Sequence, residues 1–306
     1  MKNILAFLLI VVSIFACNPE SHTKETKEVK DAEEDKKVGV LLVNHGSHSA
    51  TWRQALLDLD SSVRETILAD ERIADVKTAF MEYTEPSIAT RMKEFDKAGY
   101  TDVIVVPVFL TVSSHSFDDI PTIIGLKEDP VSAEHLKLEK IEVYKTQATC
   151  HVTPLLDFTD ILQKNILKRV KSISRDSANE GLVLIAYGDQ GYDKEWSDLM
   201  DTVGDYVARN TGIESHSYGW CGHIAHYDPR KTTEAIQKVL ESREQAIVVP
   251  VLVAHDETFQ IKIIGDGIKA IPGHEQKVIY KPDAILPDTN VSQWIIDIVK
   301  ITMDSL

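Results

Sequence analysis

The chain is short of cysteine, of basic charge and of long apolar runs, and each shortage removes a class of protein. Cysteine occurs at positions 17, 150 and 221 only, too few for a disulfide-stapled scaffold. Sequence does not say whether Cys150 and Cys221 pair or stay as free thiols, because bonding needs Cα atoms within a few ångström of each other. Lys and Arg number 33 against 48 Asp and Glu, a formal net charge of -15. Nonspecific nucleic-acid binding needs a basic surface, so no nucleic-acid partner is expected. An anionic ligand would need a local basic patch. The main apolar run, Ile4 to Ala16, is too short to span a membrane comfortably as a mature helix.

That run has the form of an export signal. Lys2 precedes it and Cys17 ends it, with small Ala16 just before the expected cut. Ile14-Phe15-Ala16-Cys17 is similar to a bacterial lipobox, which implies cleavage before Cys17 and lipidation of it. Residues 1–16 are therefore expected to be a lipoprotein signal peptide. Residues 17–37 are expected to be the lipidated cysteine and a charged tether. That tether has too few apolar side chains to fold and holds the domain off a membrane. The expected address is extracytoplasmic and membrane-anchored, on the periplasmic side or the cell surface.

With 306 residues, 43% hydrophobic and 26% charged, the rest has the composition of a globular protein and room for roughly two units of ~150 residues. Val38 to Val43 is a near-continuous apolar run, as in a parallel strand covered on both faces. Trp52, Ala55, Leu56, Leu59, Val63 and Ile67 recur at helical spacing. Val76 to Met81 reads as a second strand. Pro86 is placed to open a helix that Gly99 ends. Asp102 to Leu110 reads as a third strand. This β-α-β-α-β order predicts an α/β fold with a parallel sheet.

The second half repeats the first. Gly39-Val40-Leu41-Leu42-Val43-Asn44-His45-Gly46 aligns with Gly181-Leu182-Val183-Leu184-Ile185-Ala186-Tyr187-Gly188. Glu85-Pro86 aligns with Asp228-Pro229, and Val105-Val106-Pro107-Val108 with Val248-Val249-Pro250-Val251. Anchors matched in this order predict two homologous lobes, 38–150 and 151–306, each a flavodoxin- or Rossmann-like βαβ unit, with a cleft between them. Thr153 to Val170 is read as a long helix joining them.

In such sheets ligands bind outside the carboxyl ends of the strands. The first-lobe strands end in Asn44-His45-Gly46-Ser47-His48, in Met81-Glu82-Tyr83-Thr84-Glu85 and in a run reaching His115. Imidazoles and a carboxylate should therefore meet in one cleft. Imidazole ligates first-row metals and is the base best tuned to neutral pH. Glu85 is also well placed to cap the helix after it. The second lobe has Tyr187 in place of His45 and Thr258 in place of His115. It carries its own group, His216, Cys221, His223, His226 and His255, which either forms a second metal site or lines the same cleft. Tyr218, Trp220 and Tyr227 could stack on a flat ligand.

These motifs resemble the sirohydrochlorin cobaltochelatase family of class II tetrapyrrole chelatases. The matching pieces are Leu42-Val43-Asn44-His45-Gly46-Ser47, Glu82 with Glu85-Pro86-Ser87-Ile88, and Val105 to Leu110 continuing to His115 and Asp119-Ile120-Pro121. The resemblance implies insertion of Co²⁺, or of Ni²⁺ or Fe²⁺, into a sirohydrochlorin-type tetrapyrrole, with the metal as substrate and no organic cofactor. It places metal binding and proton acceptance on His45 and His115, assisted by Glu82. His48, His223 and His226 are additional candidate ligands. His48 stands where the family usually has arginine, which removes a cation that could meet a substrate carboxylate. The rival reading is a non-catalytic extracytoplasmic lipoprotein that reuses the fold to bind a metal, haem or a corrinoid.

Overall fold

The computed structural model describes residues 36–156 and 160–306. The expected signal segment and the lipidation site Cys17 lie outside the described residues. In the first lobe the elements are β1 (Val38–Asn44), α1 (Ala50–Leu68), β2 (Ile73–Phe80), α2 (Ile88–Lys97) and β3 (Asp102–Pro107). A π-helical turn (Ser114–Asp119) follows and leads into α3 (Ile120–Ile123), then α4 (Pro130–Leu138) and β4 (Thr149–Val152). α5 (Ile161–Ile173) comes next. The second lobe has β5 (Glu180–Ala186), α6 (Asp193–Thr211), β6 (His216–Trp220), α7 (Arg230–Leu240) and β7 (Gln245–Val251). A second π-helical turn (Thr258–Ile264) leads into α8 (Gly265–Lys269), α9 (His274–Lys277), β8 (Val278–Tyr280) and α10 (Thr289–Met303).

Each lobe is a four-stranded sheet, in the orders β2-β1-β3-β4 and β6-β5-β7-β8, with every strand pair parallel. The two orders are the same, as the repeat predicts. The central strands β1 and β5 are buried along their whole length, which explains why both read as unbroken apolar runs.

The helices start and stop on local chemistry. Ser49 caps α1 by accepting the Trp52 N–H at 3.2 Å. Ser87 caps α2 by accepting the Thr90 N–H at 3.2 Å. The helix thus opens at Ile88, not at Pro86, which sits one residue outside the cap. Glu85 accepts the Ser87 N–H at 2.6 Å and serves the cap rather than the first helical turn. Gly99, with φ +72°, closes α2 as expected: Tyr100 N–H reaches back to the Phe95 carbonyl.

β2, β3 and the joining helix also differ from expectation. β2 runs from Ile73 to Phe80 rather than from Val76 to Met81. β3 ends at Pro107, not Leu110; Val108 N–H still reaches the Val43 carbonyl at 2.8 Å, and beyond it the chain leaves the ladder with β1. The joining helix begins at Ile161, not Thr153. Thr153 N–H instead donates to the Val105 carbonyl, and Pro154 disfavours helical backbone at the residue before it.

One apolar core runs through both lobes. It joins Leu42, Leu56 and Ile104 of the first to Leu184, Val203 and Ile247 of the second through Ile166 of α5 and Trp294 of α10. Each such fully buried aliphatic side chain is worth about 1.5–3 kcal/mol. The helices that follow each sheet are exchanged. α5, after β4, packs on α6 and β7, while α10, after β8, packs on α1 and β3. This exchange holds the two rows of strand ends across one cleft.

Candidate metal centre

Three strand ends converge in the first lobe. β1 delivers His45, and Gly46 then turns the chain with φ +86°. The turn lets the chain after β2 lie alongside: Met81 N–H donates to the Asn44 carbonyl at 2.8 Å and Glu82 N–H to the His45 carbonyl at 3.0 Å. Gly46 is required twice. Its φ disfavours any side chain, and a Cβ there would lie 2.2 Å from the Glu82 carbonyl oxygen. β3 leads to Ser113, whose hydroxyl accepts the Ser116 N–H while the Ser116 hydroxyl accepts the Ser113 N–H. This reciprocal cap starts the π-helical turn that carries His115.

One ligand atom each from His45, Glu82 and His115 lies within 4.8 Å of the others. The imidazole centroids of His45 and His115 are 4.9 Å apart, edge to face, and His115 Nε2 is 3.9 Å from Glu82 Oε1. Glu82 is buried; both histidines are half-buried. Their far nitrogens are spoken for. His45 Nδ1 faces the Gly46 carbonyl at 3.0 Å, and His115 Nδ1 faces Asp119 Oδ2 at 2.8 Å. A carbonyl or carboxylate only accepts, so each Nδ1 carries the proton and each Nε2 keeps its lone pair. Two imidazoles and a carboxylate suit a borderline first-row divalent ion.

The two imidazoles differ in basicity. Burial pushes His45 below the ordinary histidine value, helped by repulsion from His115 and only partly opposed by Glu82 and the Gly46 carbonyl. Burial also pulls His115 down, but the Asp119 hydrogen bond and the charges of Glu82, Asp119 and Asp189 outweigh it and leave His115 raised.

The centre opens into a cleft of about 650 Å³ lined by both lobes. Two serine–aspartate contacts bridge it. Ser47 of the first lobe donates to Asp256 of the second at 2.9 Å. Asp189, which occupies the position of Ser47 in the second lobe, accepts the Ser114 N–H and hydroxyl at 3.0 and 2.9 Å. The second contact pins the start of the turn that carries His115.

The remaining candidates scatter. His48 is exposed in the cleft wall, its ring 4.5 Å from that of Tyr83. His223 also lines the cleft, with Nδ1 3.2 Å from the Tyr187 hydroxyl; burial and the facing imidazoles hold it below the ordinary value, against the opposing pull of Asp189. His226 is exposed, in left-handed backbone, and does not line the cleft. None of the three joins the ligand group. Nor does the second-lobe Cys/His set assemble: among the described residues His45, Glu82 and His115 form the one such group. Cys221 is buried in the apolar core of its lobe, and neither it nor Cys150 forms a disulfide. Tyr227 faces the cleft, but Tyr218 and Trp220 pack against the shared core. Asp119 is marked in the sequence by the Asp119-Ile120-Pro121 piece of the resemblance and by its four-residue step from His115; Asp189 and Asp256 carry no such signal.

Known proteins are similar to this chain in sequence and in fold. The CbiX family model matches residues 39–173. A sirohydrochlorin cobaltochelatase of Methanococcoides burtonii is 36% identical over 98 residues, 32% of this chain and 70% of the relative. One of Methanosarcina barkeri is 27% identical over 135 residues, 44% of this chain and 95% of the relative. Among solved structures, the sirohydrochlorin chelatase SirB of Bacillus subtilis subspecies spizizenii in complex with cobalt superposes with a TM-score of 0.60 at 19% identity, covering 87% of this chain and 95% of that one. DR2241 of Deinococcus radiodurans, a multi-domain protein similar to chelatases, gives 0.57 at 16% identity, covering 86% and 54%. The structural likenesses speak for the fold, and they extend it over both lobes.

Proposed function

The chain belongs to the CbiX family of sirohydrochlorin cobaltochelatases, and we propose that it inserts a divalent metal, with cobalt first and nickel or iron after it, into a sirohydrochlorin-type tetrapyrrole. The observation that carries this reading is the His45–Glu82–His115 group, held open to a cleft between two lobes.

Insertion exchanges one M²⁺ for two pyrrole protons. The ring nitrogens lose their protons, gain the metal, and leave two protons to be taken up. In this reading His45 Nε2, His115 Nε2 and a Glu82 oxygen hold the ion. As the ion passes to the ring, those lone pairs are freed and become the proton acceptors. His115 is the better first acceptor, since Asp119 and Glu82 stabilise its imidazolium. His45, kept neutral by burial, is the better ligand. Asp119 orients His115 and sets its tautomer, as carboxylates commonly do behind metal-binding histidines.

The test is direct. Soluble protein, sirohydrochlorin and Co²⁺ are mixed and the absorbance change of metal insertion is followed. The rate should exceed the uncatalysed rate and fall to it in His45→Ala and His115→Ala. A rate equal to background, or unaffected by both substitutions, rejects catalysis. Stoichiometric binding of metal or haem without turnover would then favour the binding-protein reading.

We also propose that the protein acts outside the cytoplasm on a lipid anchor at Cys17. Lys2, the apolar run Ile4 to Ala16 and the charged stretch after Cys17 support this. Cells fed labelled palmitate should yield labelled, membrane-bound protein, and Cys17→Ser should abolish both label and membrane retention. An unlabelled wild-type chain rejects the anchor.

A further inference from the structure

His115 has two imidazole neighbours, the His45 ring at 4.9 Å and the His135 ring at 6.4 Å. His135 is exposed on α4 and does not line the cleft, whereas His115 does. α4 packs against the π-helical turn that carries His115. Asp129 caps this helix by accepting the Ser132 N–H at 2.9 Å, and Leu136 fixes it in an apolar cluster of the first lobe.

His135 has a companion on that helix. Glu139 N–H donates to the His135 carbonyl at 3.0 Å, so helical backbone carries on to Glu139 and the two side chains share a face. Both stand on the side of the metal centre. The charge of Glu139 reaches the Tyr83 hydroxyl, next to Glu82, and that of His135 reaches His223 across the cleft. Among the described residues neither His135 nor Glu139 is held in a side-chain hydrogen bond or an ion pair. Both are free to meet a ligand without breaking a contact.

An imidazole and a carboxylate on one helical face, with His115 beyond them, repeat the donor set of the centre. That set suits the same borderline divalent ions. An imidazole nitrogen stands about 2.0–2.1 Å from such an ion, so two rings on one ion have centroids roughly 5–6.5 Å apart. His115 stands at about that spacing from both its neighbours. An ion at His135 is thus one ligand exchange from His115. We propose that His135 and Glu139 form an outer capture site that loads divalent metal ions into the His45–Glu82–His115 centre from the α4 side, outside the cleft. A ring seated in the cleft then leaves the metal its own way in. The route rests on reading that group as metal-binding, and not on insertion into a ring.

The test is kinetic. Full-length protein is mixed with Co²⁺ by stopped flow, and binding is followed by quenching of tryptophan fluorescence, since Trp52 and Trp196 line the cleft. A chelator chase gives the dissociation rate. His135→Ala combined with Glu139→Gln should slow association about tenfold, the equivalent of about 1.4 kcal/mol on the barrier. A lost waypoint raises one barrier seen from both sides, so dissociation should slow by the same factor and the dissociation constant should stay within about twofold. His135→Asp, which restores a ligand, should recover most of the rate. In His45→Ala combined with Glu82→Ala, which cripples the centre, calorimetry should still show a weak Co²⁺ isotherm, and His135→Ala added to that pair should erase it. Association unchanged in the paired variant, no gain of His135→Asp over His135→Ala, a dissociation constant that weakens as association slows, or no weak isotherm would each overturn the route. Tight binding lost in His45→Ala, with association indifferent to His135, sinks the route and leaves the centre standing. Tight binding that survives His45→Ala sinks the centre and takes the route with it.

Discussion

Asp119 stands four residues beyond His115 on the same π-helical turn and holds the imidazole Nδ1 at 2.8 Å, so Nε2 faces Glu82 across 3.9 Å. This pair decides which nitrogen is free for a metal. Asp119 is itself buried, with 2% exposure, so its charge acts on His115 through little water. In Asp119→Asn the amide can still accept the Nδ1 proton, but the charge is gone. Co²⁺ affinity should fall about 10–100-fold, the range for a lost partner behind a metal-binding histidine, while circular dichroism stays native. Affinity unchanged within twofold would remove Asp119 from the site.

Metal binding should weaken as pH falls. The ion needs His115 neutral, and His115 takes up its proton at a pH above the ordinary histidine value. Competition therefore begins above that value and approaches a tenfold loss of affinity per pH unit below it. Calorimetry in buffers of different ionisation heat should show proton release on Co²⁺ binding near neutral pH. Asp119→Asn should move the onset downward. Binding independent of pH from 6 to 8, a span of about two units around the reference histidine value, would contradict this.

Gly46→Ala should cost roughly 2 kcal/mol or more, from the left-handed backbone and from the contact of the new Cβ with the Glu82 carbonyl. The only relief is to push the Glu82 strand end away from His45. A lower Tm and loss of Co²⁺ binding should therefore appear together. A stable variant that binds metal normally would show that the turn does not position Glu82.

Asp60, on α1 behind the centre, is raised by burial to about 7, against the opposing hydrogen bonds of Thr78 and Asn44. A raised folded value means that its contribution to stability is fully present below the unfolded value near 3.8 and is lost as pH rises through about 7. The full loss is on the order of 4 kcal/mol. Asp60→Asn should therefore raise Tm relative to wild type at pH 8 by more than at pH 5. Equal differences at both would show that Asp60 does not carry the pH dependence.

Asp189→Ala removes two hydrogen bonds from Ser114 across the cleft. A loss of roughly 1–3 kcal/mol is expected, along with weaker Co²⁺ binding, because Ser114 starts the turn that bears His115. Ser47→Ala breaks the other bridge, to Asp256, at a point farther from His115. It should lower Tm with a smaller effect on the metal. Equal effects on metal binding would show that the Ser114 contact does not act through His115.

Much of this protein is set by sequence alone. Apolar runs at Val38–Val43 and Gly181–Ile185 can only be buried strands, and helical periodicity between them forces a parallel order. The order puts His45, Glu82 and the approach to His115 at neighbouring strand ends, so the ligand group follows from topology. Other features needed the tertiary structure, because they depend on where distant segments pack. The exchange of α5 and α10 joins the lobes into one core. His223 reaches the cleft while His226, three residues on, points elsewhere, a difference set by one turn of backbone. Cys221 looks like a ligand beside histidines and is instead core packing. Asp119 owes its role to a π-helical turn, whose wider spacing no apolar pattern announces. That no lysine or arginine lines the cleft among the described residues is also a property of the packed lobes. Local sequence contains arginine and lysine throughout, and only the direction of each side chain decides which of them face the ligand.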